Sequence, residues 1–295
     1  MANEPEQRPV LQIDSRVSRT FDWLDGVWHA PNTRRLTAKL LIASFLVSIA
    51  LIELARLGAL THVFGHRMPT NHFHAISWTM TLLLIVEVLD LVFSLAASVS
   101  RAIGKQLEIF SLVLLRKTFD ELSQFPEPIS VVGHEDALWR MGAEAGGALL
   151  VFAVLIVDAR FQRRRPLLTA EAEVRSFVAA KKLICLVLLA AFVAIGAFAG
   201  IQSLTLPDGE GTLSLRFFEL FYTMLVFADL LVVLASLSAT FAYPIVFRNF
   251  GYAAVTVGLR MALAAEPPLN AAVGVGAALF ALAVSFAFSA YPRRS

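Results

Sequence analysis

Sulfur and charge are both scarce in this chain, and each scarcity removes a class of function. Cys185 is the only cysteine among 295 residues, so no disulfide can form within the chain. It sits in an apolar run, where burial disfavours the thiolate that metal binding or nucleophilic attack requires. Charged residues make up 16% of the chain against 57% hydrophobic, and the mean hydropathy is +0.69. These values lie far outside those of soluble globular proteins. No Gly-rich phosphate loop, no cysteine-pair metal motif and no Gly-x-Ser-x-Gly elbow is present. A net charge of +2 spread over loops gives no reason to invoke nucleic acid. The first 35 residues lack an apolar core between a basic start and a small-residue cleavage site, so no cleavable signal peptide is expected.

What is present is long apolar runs. Eight segments approach the roughly 20 residues needed to cross a hydrocarbon core, near 38–60, 74–100, 102–122, 138–159, 179–203, 215–242, 249–265 and 269–291. The expected fold is therefore all-α, a polytopic integral membrane protein with about eight transmembrane helices. Residues 1–13 read as a disordered polar tail. From Asp14 to Trp28, Val17, Phe21, Leu24, Val27 and Trp28 recur at helical spacing beside Arg16 and Arg19. That pattern fits a helix in the membrane interface or one packed on the protein's own cytoplasmic face. Lys and Arg excess marks the cytoplasmic side. Arg163, Arg164 and Arg165 meet Lys181 and Lys182 in one loop, and Arg293 and Arg294 end the chain. Both termini are thus expected in the cytoplasm, with a bacterial inner (plasma) membrane as the expected location.

The second half of the sequence reads as a worn copy of the first. Lys39-Leu40-Leu41-Ile42 returns 143 residues later as Lys182-Leu183-Ile184-Cys185. Trp78-Thr79-Met80 returns as Tyr222-Thr223-Met224 and Leu115-Arg116 as Leu259-Arg260, both after 144 residues. The stretch 146–164 matches 276–294 at an offset of 130, ending in the same basic pair. Four spans per copy keep the copies the same way up, so two parallel tandem four-helix repeats are expected. The division is 1–33 for a cytoplasmic tail with its interfacial helix, 34–165 for the first repeat and 166–295 for the second. Internal repeats of this kind are common among transporters.

Carboxylates within apolar helices are the residues most suggestive of function, because each costs at least about 2.5 kcal/mol at a helix centre. Glu87 and Asp90 fall near the middle of the second expected helix, on one polar face with Ser94, Ser98 and Arg101. Asp229 falls near the middle of the sixth, with Ser236 and Thr240 beyond it and Glu219 and Thr223 before it. Symmetry-related acids at a repeat interface are where a cation or proton site is expected, with hydrogen bonding between helices as the bland alternative. The third expected helix is odd, because only Ile109–Leu115 is a clean apolar run. Either Arg116 and Lys117 face the bundle inside the membrane, or this helix lies flat on the cytoplasmic surface. Arg260 stands where Arg116 stands in the first copy. These two arginines are expected to neutralise Glu53 and Glu219 or to snorkel outward, and Glu53 is also three residues from Arg56. The every-third-residue arginine ladder of a voltage sensor is missing.

Five of six histidines, His62, His66, His72, His74 and His134, fall on the expected outer side. They are candidate ligands for a divalent metal, with Glu135 and Asp136 nearby, or candidate pH sensors, although solvated histidines would look the same. Glu127-Pro128 and Glu266-Pro267 each precede a fourth helix, and Tyr243-Pro244 marks the end of the sixth. Gly142, Gly146 and Gly147, and Gly274 and Gly276, make the fourth and eighth helices small-sided. That suits a packing core or a homo-oligomer seam without chemistry. The leading expectation is a transport protein, cation- or proton-coupled or an ion channel, with the lipid bilayer and a monovalent cation or proton as partners. The alternatives are a membrane-embedded metal enzyme on the outer face and a non-catalytic structural or regulatory subunit.

Overall fold

A computed structural model describes residues 7–58, 62–63, 66–67, 70–96, 99–163, 175–205, 212–239 and 243–291. It describes backbone alone at 7–15, 62–63, 66–67, 99–101, 162–163, 175–177, 202–205, 212–216 and 237–239. Ser98, Thr240, Arg164, Arg165, Arg293 and Arg294 lie outside the described residues, as do the side chains of Arg101 and Arg163.

Nine α-helices form among the described residues: α1 Gln7–Trp28, α2 Pro31–Arg56, α3 His74–Ser94, α4 Val99–Asp120, α5 Glu135–Arg163, α6 Arg175–Thr205, α7 Thr212–Ala239, α8 Tyr243–Ala264 and α9 Leu269–Ala290. A two-stranded antiparallel ribbon, β1 His62–Val63 and β2 His66–Arg67, lies between α2 and α3, and a 3-10 turn over Glu121–Gln124 follows α4. Among the described residues six helices are long and apolar enough to cross a membrane: α2, α3, α5, α6, α7 and α9. This is an all-α integral membrane architecture.

Sequence chemistry sets the helix ends. Pro31 opens α2 and Pro244 sits in the first turn of α8, positions where proline's missing N–H is not needed. Pro268 caps α9, so a proline-containing turn does precede that helix. Three expectations change. Helix α1 begins at Gln7, inside the stretch read as a disordered tail. The run read as one helix over 74–100 ends at Ser94, and α4 starts anew at Val99. Helix α2 runs Pro31–Arg56, ending before the expected 60.

Consecutive helices pack on each other from α2 to α5 and again from α6 to α9, while α4 meets α8 and α5 meets α9 across the bundle. A Cβ added to Gly104 would touch Leu155, and one added to Gly147 would touch Leu114. These two contacts lay α4 antiparallel along α5. Gly251 against Val284 and Gly258 against Ala277 do the same for α8 along α9. Helices α5 and α9 run in the same direction, with Gly147 against Ala271 and Phe161 edge-on to Phe286. Small residues make this approach possible. A Cβ on Gly147 would come 2.8 Å from that of Ala271, and one on Gly274 would overlap the Phe110 ring.

Helix α4 is packed into the bundle. Ile103, Leu107, Phe110 and Leu114 are fully buried among α5, α8 and α9, and Arg116 turns inward with them. Helix α1 packs mainly on α6. Phe21 is buried and meets Phe93 at 5.9 Å, Trp28 stacks on the same ring, and Lys182 Nζ reaches the Asp22 carboxylate at 2.7 Å. Trp23 stays 65% exposed on the other side. The helix is therefore docked on the protein and still presents an apolar edge.

Candidate functional site

Two buried arginine–carboxylate pairs lie in the interior, each made by successive helices. Arg116 on α4 approaches Glu87 on α3 with Nε at 3.3 Å from Oε2, and its Nη1 donates to the Met80 carbonyl at 3.0 Å. Arg260 on α8 approaches Asp229 on α7 with Nε at 3.5 Å from Oδ2. Arg260 is 2% exposed and Asp229 5%. These contacts correct the expectation that the arginines serve Glu53 and Glu219. An uncompensated charge here would face a low-dielectric surrounding, and several kcal/mol of desolvation per ion make the nearest buried acid the stable partner. Tyr222, also buried, lies within electrostatic reach of Arg116, Arg260 and Glu87.

Each pair borders a cavity of its own. Arg116 and Tyr222 line a chamber of about 290 Å³ that opens where α4 ends and α8 joins α9. Its wall carries five carboxylates, Asp120, Glu121, Glu144, Glu219 and Glu266, against two cations, Arg116 and Lys117. Lys117 Nζ is held near the carbonyls of Leu263 and Ala265, at 3.5 and 3.4 Å. Glu144 is 0% exposed; its Oε1 accepts from Asn270 Nδ2 at 3.0 Å while Oε2 has no partner. Asp229 borders a second, smaller cavity of about 40 Å³, shared with Gln106, Ser236, Asn249, Tyr252 and Thr256. There Asn249 donates to Ser236 at 3.3 Å, and the Tyr252 and Ser285 hydroxyls meet at 2.9 Å. Arg116 of the first pair thus lines a large acidic chamber, and Asp229 of the second lines a small, mostly apolar cavity.

The other expected site residues are dispersed. Asp90 is four residues from the end of α3 rather than near its middle, and accepts a 2.6 Å hydrogen bond from Trp28 Nε1. Glu87, and not Asp90, is the α3 acid that approaches an arginine. Glu53 joins a surface cluster outside the helix bundle's interior. His72 lies 3.1 Å from Glu53 and 3.0 Å from Glu127, with Arg56 at 3.6 Å from Glu127. Hydrogen bonds from the His72 backbone and ring hold the Glu127 carboxyl below its ordinary range. Glu219 lines the chamber. His74 begins α3 and His134 stacks on Phe125 at 5.7 Å. The side chains of His62 and His66 lie outside the described residues. Among the described residues no three His, Cys, Asp or Glu groups converge as a metal site would require.

Glu144 and Asn270 are the site residues that sequence reasoning missed. Of the small residues expected to pack, Gly147 and Gly274 meet neighbouring helices while Gly142, Gly146 and Gly276 have nothing within 4 Å of an added Cβ, and α5 and α9 also enclose an acid and its amide partner. The signal was there: a lone carboxylate amid Gly142, Ala143, Ala145 and Gly146 in an apolar helix. Comparison of the chain with protein-family models, with curated proteins and with solved structures finds no match.

Proposed function

We propose that this chain is an integral membrane transport protein that moves a monovalent cation or proton, as a coupled transporter or an ion channel, along the Glu87 and Asp229 carboxylates. The observation that carries this reading is that each of two buried ion pairs has a member on a cavity wall, Arg116 on an acidic chamber and Asp229 on a smaller cavity. A static core has no need of cavities beside its charges, whereas ionisable groups inside a bilayer line ion and proton routes. The acidic chamber concentrates cations by its excess of carboxylates. A proton or cation reaching Glu87 competes with Arg116, and one reaching Asp229 competes with Arg260. Each passage therefore requires a guanidinium to shift, and the hydroxyls and amides of the smaller cavity supply neutral oxygens beyond.

The reading includes eight spans in two parallel repeats. Helices α4 and α8 have 22 residues each, about 33 Å at a rise of about 1.5 Å per residue. They lie along α5 and α9, which are apolar enough to cross. The parallel course of α5 and α9 is the one that tandem, same-way-up copies require. With both termini cytoplasmic, the acidic chamber opens on the outer side, and the positive-inside bias suits a bacterial inner membrane. Purified protein in proteoliposomes, tested for H⁺, Na⁺ and K⁺ flux, is expected to conduct at least one of them. Tight vesicles under all three gradients would instead favour a structural or regulatory membrane subunit.

A further inference from the structure

The structure assigns to the acidic chamber a binding site for a small organic ammonium ion. This rests on the transport reading for its consequence, that such an ion is the cargo or a pore ligand, while the binding itself stands on the chamber's own chemistry. Glu144 is completely buried, lines the chamber and leaves Oε2 without a hydrogen-bond partner. A buried carboxylate oxygen left unpaired is costly, and a donor entering the chamber would satisfy it. Asp120 Oδ1 and Glu121 Oε2 are likewise enclosed and unpartnered on the same wall.

The two cations of the chamber are already engaged. Arg116 is tied to Glu87 and the Met80 carbonyl, and Lys117 lies against the Leu263 and Ala265 carbonyls. Lys117 keeps its charge against these carbonyls, and the five carboxylates of the wall outnumber the two cations.

Size and wall chemistry narrow the class. No three acids converge closely enough among the described residues to hold a bare metal ion, and metal ions need such convergence. Spread around about 290 Å³, the acids suit a cation of several heavy atoms. Phe218 and Tyr222 line the same chamber and stack at 6.3 Å. Aromatic faces beside carboxylates are how ammonium groups carrying methyl or methylene are recognised. Leu84, Val113 and Leu263 complete an apolar wall.

The test is calorimetric titration of the full chain in nanodiscs with choline and with putrescine, against NaCl at equal ionic strength. Saturable heat is expected for at least one amine and none for NaCl. Glu144→Gln, which keeps the acceptor for Asn270, is expected to weaken binding at least 10-fold. Phe218→Ala and Glu219→Gln, on the open part of the wall, should each weaken it several-fold, and they stand as the test if Glu144→Gln does not fold. Absence of saturable heat for both amines, or folded variants that bind as the wild type does, would overturn the assignment. Amine binding with no flux of any ion would uphold the site and overturn the transport reading. Flux of inorganic ions without amine binding would do the reverse.

Discussion

At the scale of single residues, the interior is organised by charges that cannot stand alone. Arg260 at 2% exposure has Asp229 as its acid. Asp229→Leu strands that guanidinium and is expected to lower stability by about 3–5 kcal/mol, whereas the double variant Asp229→Leu, Arg260→Met should recover most of the loss. Unfolding of both proteins in detergent measures the difference. A second expectation concerns acid. Glu127 has a lowered pKa because His72 donates to it, so it adds stability above the ordinary carboxylate range, about 4. That contribution fades as pH falls through its lowered value. Protection factors of the backbone amides around Asn71–Phe73, corrected for the intrinsic pH dependence of exchange, should therefore fall on acidification through that window, and Glu127→Gln should flatten the response. Glu87, Asp229, Arg116 and Arg260 were legible in the sequence because ionisable residues interrupt apolar runs. Their pairing was not, because it depends on which helices become neighbours. Asp90 and Glu87 are three residues apart and look equivalent, yet one meets Trp28 and the other Arg116.

At the scale of elements, glycine and aromatic contacts decide which helices touch. Gly147 faces the Ala271 backbone and side chain, whereas Gly276 has nothing within 4 Å of an added Cβ. Gly147→Val is expected to cost about 1–3 kcal/mol through overpacking and Gly276→Val far less, read as thermal unfolding of the two variants side by side. Trp28→Phe removes the donor to Asp90 and should loosen α1, raising its cleavage by protease without unfolding the bundle. The long apolar helices were readable from composition. The break between α3 and α4 was not, because Leu95–Ser100 contains neither glycine nor proline to punctuate it. The packing of helix α4 was hard to read because its lysines, acids and arginines are dispersed around an apolar seam that α3, α5, α8 and α9 cover.

At the scale of the whole molecule, the side on which the α4–α5 connection lies separates eight spans from six. Val132 is 83% exposed in that connection. In a Cys185→Ala background, Val132→Cys should react with an impermeant maleimide from outside the cell; labelling only after lysis would remove α4 from the membrane. The most direct test of the transport reading is ion flux in proteoliposomes, comparing wild type with a folded Glu87→Gln, Asp229→Asn double variant under H⁺, Na⁺ and K⁺ gradients. A flux in the wild type that disappears with the two carboxylates is the predicted result. A flux that survives their loss, or no flux in the wild type for any of the three ions, would contradict it.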